Sequence, residues 1–93
     1  MEKDIGVAMI AAATKAIKYK KENPNSMIDE VINHVMRSMS YRDEVKIGAV
    51  ASASAVYNFK EKNPRANEKE VLRFIVSEMS GMINKLELVN QSK

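Results

Sequence analysis

The chain contains no cysteine and no tryptophan, and its 93 residues include only two prolines, three glycines and one histidine. Without cysteine there can be no disulfide, thiolate metal site or cysteine nucleophile, so stability must come from packing, and the redox compartment goes unmarked. The glycines, Gly6, Gly48 and Gly81, stand too far apart to form a phosphate-cradling loop. Charge of one sign is also scarce: 15 basic residues are interleaved with 12 acidic ones for a formal net charge of +3. Such a balance draws the chain only weakly toward nucleic acid or membrane as a whole, so only a local cluster could matter. No apolar run approaches the roughly 20 residues that a membrane-spanning helix needs.

What the chain does have is an ordinary globular composition, 45% hydrophobic and 29% charged, and a length that suits one domain, 1–93. The apolar run Ile5 to Ala13 after Lys3 resembles the core of a signal peptide. Acidic Glu2 and Asp4 argue against that reading. So does a related stretch, residues 45–56, in mid-chain where no signal can act. A soluble, cytoplasmic protein is the expectation.

Residues 4–40 align with 44–80 at a constant offset of forty without a gap. Asn23-Pro24 falls on Asn63-Pro64, Glu30-Val31 on Glu70-Val71, and Met39-Ser40 on Met79-Ser80. Roughly a quarter of aligned positions are identical and most others keep their character, as a duplicated two-helix unit requires. The signature residues of tetratricopeptide and ankyrin units are absent.

Each copy reads as helix, turn, helix. Ile5, Met9, Ala12, Ala16 and Tyr19 alternate steps of four and three, and Val45, Ala49, Ser52, Val56 and Phe59 repeat that spacing, which keeps one stripe facing inward. Proline disfavours helical geometry in the residue before it, so Asn23 and Asn63 end the first helices. Ser26 with Asp29, and Asn67 with Glu70, have capping-box spacing and start the second helices, one position out of step between copies. Ser40 with Asp43 has the same spacing and leaves a short joint between the copies. Ile28, Val31, Ile32, Val35 and Met39, with Leu72, Ile75, Met79, Met82 and Leu86, form the bulky stripes of the second helices. The last stripe stays in phase through Gly81, so that helix runs on and frays from Asn90.

The pattern predicts an all-α fold, a four-helix bundle built from two tandem hairpins, with helices at about 3–22, 26–39, 42–62 and 67–88. Alanine-rich first helices, with Ala11 to Ala13 in one and Ala49, Ala51 and Ala53 in the other, can approach closely. We therefore expect them to pack on each other and relate the hairpins by a pseudo-two-fold axis. A two-repeat stack is the alternative, but two repeats are few for a solenoid.

Catalytic groups are sparse. Glu30 lies four residues before His34 and could share its helix face as an acid/base or ligand pair, but the second copy places Phe74 at the position of His34, which marks a packing site. Neither copy has the Glu-x-x-His of a carboxylate metal bundle. The expectation is no enzyme, no cofactor and no metal. Two features suit binding. Met36, Met39, Val76, Met79 and Met82 concentrate on the second helices, where flexible thioethers and a widened apolar face suit a protein partner or a homodimer. Lys18, Lys20, Lys21, Lys60, Lys62, Arg65 and Lys69 flank the two turns and could instead hold nucleic-acid phosphates through counterion release. The first of these is the leading expectation and the second its alternative.

Overall fold

The computed structural model describes residues 2–38 and 43–91, which form four helices and no strand. They are α1 (Glu2–Glu22), α2 (Ile28–Ser38), α3 (Asp43–Lys62) and α4 (Glu68–Gln91). Helix α4 crosses Gly81, where an added Cβ would meet nothing within 4 Å, so glycine there costs only its backbone entropy, about 1 kcal/mol relative to alanine. The helix continues to Gln91, so Asn90 and Gln91 are helical rather than frayed. The expected end of α2 at Met39 and the expected Ser40 cap lie outside the described residues.

Both hairpin turns follow one pattern at an offset of forty. The Asn23 and Asn63 amides donate to the carbonyls of Tyr19 and Phe59, each at 2.8 Å, and their side-chain amides donate to the same oxygens at 3.1 Å. These bonds occupy carbonyls that a helix end leaves open, so the chain can leave the helix without stranding an acceptor. A lysine then clamps each turn. Lys20 Nζ donates to the Pro24 and Ser26 carbonyls at 2.8 and 3.2 Å, and Lys60 Nζ donates to those of Pro64 and Ala66 at 3.2 and 2.7 Å.

The caps are in register, which corrects the Ser26–Asp29 assignment and the start of α2 at residue 26. Glu70 N–H donates to Asn67 Oδ1 at 2.9 Å, and Asn67 N–H donates back to Glu70 Oε1 at 3.2 Å. In the first turn Glu30 reaches back to the Met27 amide, also at 3.2 Å, so Met27 holds the capping position without a capping oxygen. Ser26 is buried, and its hydroxyl has no hydrogen-bond partner among the described residues. The lysine clamp explains the shift: it pulls the Ser26 carbonyl inward, and the side chain goes with it.

Copying the second turn into the first, as Ser26→Ala with Met27→Asn, should therefore raise stability by about 1–2 kcal/mol, from one gained cap and one relieved buried hydroxyl. Denaturant melts of the double variant and the parent check this, and an unchanged midpoint would show that the Met27 cap lacks nothing.

The helices run up, down, up, down, and all four sequential neighbours around the bundle touch, α4 closing on α1. Across the middle, α1 lies along α3 in parallel, while α2 and α4 do not touch among the described residues. The cross-section is thus a rhombus whose short diagonal is α1–α3. Small residues make that diagonal short: Ala12, Ala13 and Ala16 on α1, with Ala49, Ser52 and Ala53 on α3, are completely buried. Ser52 Oγ donates to the Met9 carbonyl at 2.6 Å across the diagonal. Gly48 belongs to the same seam, since an added Cβ would stand 3.2 Å from Ile5 Cγ2 and 3.4 Å from Met9 Cγ. Val31 and Val35 of α2 and Val71 and Ile75 of α4 fill the two long corners, at about 1.5–3 kcal/mol for each fully buried side chain. This is the expected bundle rather than a stack.

Candidate functional site

His34 stacks on Tyr19 with ring centroids 4.4 Å apart, and Phe59 stacks on Phe74 at the same distance, so each hairpin is pinned by one ring pair. Glu30 is engaged at the start of α2 by the Met27 amide. The Glu30/His34 pair thus serves local structure at both ends. No group of three or more metal-ligating side chains gathers among the described residues.

The five residues expected on a partner surface divide. Val76 is 53% exposed. Met36 is half-buried against the core, and Met79 is half-buried beside α1, its sulfur and terminal methyl 3.9 Å from where a Cβ of Gly6 would stand. Met39, and the side chain of Met82, lie outside the described residues. Helix α1 supplies what the second helices lack: Val7 is 69% exposed and Ile10 38%. Because α4 runs antiparallel to α1 with Met79 beside Gly6, helical register brings Val76 level with Ile10. Ile10 and Val76 therefore flank the outer rim of the α1/α4 groove, and Val7 stands one turn before Ile10 on the outward face of α1. Ile47, 56% exposed, holds the matching place on α3, opposite α2. These α1 and α3 residues escaped the sequence reading because they sit off the main stripe, although the pairs Val7/Ile10 and Ile47/Val50 recur at the same offset.

The turn-flanking cations divide too. Both turns lie at one end of the bundle, since α1 and α3 are parallel, and they border a cleft of about 630 Å³. Lys18, Lys20, Lys21, Lys60 and Arg65 line it, whereas Lys62 and Lys69 are exposed outside it. Lys20 is buried to 7% exposure: besides the two turn carbonyls, its ammonium pairs with Glu61 Oε2 at 3.2 Å and lies 4.8 Å from the Tyr57 ring centroid. Lys60 is half-buried and is held by its own turn. A charge reversal at either lysine would test the fold before any phosphate.

Comparison with known protein families, characterised proteins and solved structures finds no match. No helix among the described residues is long and apolar enough to cross a membrane.

Proposed function

We propose that the chain is a small protein-binding module, working without catalysis in the cytoplasm, whose contact surface is the apolar strip of Val7, Ile10 and Val76 along α1 and α4. One observation carries the reading: of the five large apolar side chains exposed among the described residues, Val7, Ile10 and Val76 lie on the packed pair α1 and α4, while Met27 and Ile47 stand singly in the first turn and on α3. Single exposed apolar residues are common on any surface, but an aligned set on two packed helices offers a site into which the apolar face of another helix can dock. A second copy of the chain is the partner we favour, because self-association asks for no surface beyond the one described. Half-buried Met79 lies beside Gly6 between α4 and α1, and its flexible thioether suits an adaptable contact. The matched turns, lysine clamps and ring stacks support descent of both hairpins from one copied unit, with the second edge, at Ile47, as a relic or a second contact.

Light scattering on the size-exclusion peak should give a dimer mass at high protein concentration. Val76→Glu together with Ile10→Glu should return a monomer with unchanged helix content, because two buried carboxylates cannot be paired across a two-fold contact. A parent that stays monomeric at the highest soluble concentration refutes the dimer.

A further inference from the structure

The cleft between the turns is where the two hairpins depart from their shared pattern. On one side of the pseudo-two-fold, Lys20 faces Tyr57 and Glu61, which satisfy its charge. The positions equivalent to Tyr57 and Glu61 are Ile17 and Lys21. Lys60 thus has a cation where Lys20 has a carboxylate. Among the described residues no carboxylate lies within 4.0 Å of Lys18, Lys21, Lys60 or Arg65. Five cations line the cleft against two carboxylates, Glu61 and Glu68, so its excess equals the formal charge of the entire chain, +3. Glu61 is itself taken by Lys20. The amino end of α4 opens on the same space at Asn67 and Glu68, adding its dipole to the positive field. Like charges lining one cleft repel one another, and a compact anion reduces that repulsion.

We infer that this cleft is a binding site for a compact, multiply charged phosphate, with Lys21 and Lys18 from α1 and Arg65 from the second turn as its main contacts. At about 630 Å³ the cleft falls within the usual range for a small ligand and is too confined for a duplex. The phosphate could belong to a free diphosphate or to the backbone of a single-stranded nucleic acid, and the cleft reads the chemistry they share. The site is independent of the apolar strip, so it stands or falls without the dimer.

Pyrophosphate, inorganic phosphate and a single-stranded thymidine oligomer, each titrated into the full chain at about 0.15 M salt and followed by amide NMR, distinguish the sources. The expected result is pyrophosphate binding, with shifts confined to residues 14–24 and 60–68. Lys21→Glu should weaken it by about tenfold or more, since it both removes and reverses a charge at contact distance. Lys62→Glu and Lys69→Glu, the same charge change outside the cleft, should alter affinity by less than about twofold in a screened solution. Thermal melts confirm that each variant is folded, and Lys18→Glu repeats the test from a second position. Equal losses for Lys21→Glu, Lys62→Glu and Lys69→Glu, or no saturable shift with pyrophosphate, would overturn the site. Binding of the oligomer alone, with losses spread over Lys62 and Lys69, would overturn it in favour of an extended nucleic-acid surface.

Discussion

Replacing Met9 with alanine should destabilise the protein by about 3 kcal/mol, the middle of the range for emptying a fully buried methionine site. Met9 is the largest fully buried side chain in the bundle, and its Cγ and sulfur lie against the space that Gly48 leaves open. At that level α3 lies close to α1, since a Cβ on residue 48 would stand 3.2–3.4 Å from Ile5 and Met9 side-chain atoms. Met9 then fills the gap from the opposite wall. Truncation leaves a void that glycine cannot fill, and the Ser52 bond to the Met9 carbonyl resists collapse of the seam. In a domain of this size the midpoint should fall by about 4–8 °C per kcal/mol. Met36→Ala, at a half-buried position, is the control and should cost only about 1 kcal/mol. Equal losses at the two sites would mean that the α1–α3 diagonal is not the tightest part of the core.

The second large effect concerns Lys20. Changing it to methionine keeps the buried stem and removes only the ammonium. That group donates to two turn carbonyls and pairs with Glu61. A hydrogen bond from a charged donor contributes about 1.5–3 kcal/mol, and the Ser26 carbonyl would be left buried without it. Against this, methionine needs no desolvation, and Glu61 is half exposed, so its share is screened to a fraction of a kcal/mol. We expect a net loss of about 2–3 kcal/mol for Lys20→Met, about 1 kcal/mol for Lys60→Met, and less than that for Glu61→Gln. Chemical denaturation of the three variants gives the ordering. Equal costs at Lys20 and Lys60 would show that the link to α3 adds nothing to the clamp. A more stable Lys20→Met would show that burying the ammonium costs more than its bonds return.

Much of this architecture is legible in the chain because it is local. The steps of three and four through Ile5, Met9, Ala12 and Ala16 specify a helical face whatever it packs on. Asn23-Pro24 and Asn63-Pro64 end helices through geometry confined to adjacent residues. The Asn67–Glu70 cap could be read directly, since the residues that make it lie within one turn. Ser26 misled for an instructive reason: its spacing to Asp29 is a good local signal, but the clamp from Lys20, six residues back, claims its carbonyl and moves the cap to Met27. The candidate surface was half legible. Val76 stood out on its own helix, while Val7 and Ile10 acquire meaning only beside it.

The number and order of the four helices, the Asn-Pro ends of α1 and α3, and the inward identity of the small and apolar stripes follow from the amino-acid order alone, because hydrogen bonding and side-chain periodicity act over a few residues. Tertiary structure alone decided that the expected pairing of α1 with α3 is parallel, that both turns therefore share one end, that Lys20 turns inward to Glu61, and that four other cations gather around a cleft. Those outcomes join residues some forty positions apart. Their energies depend on which small side chains let two helices close, a contest between whole packing arrangements that no short window of sequence contains.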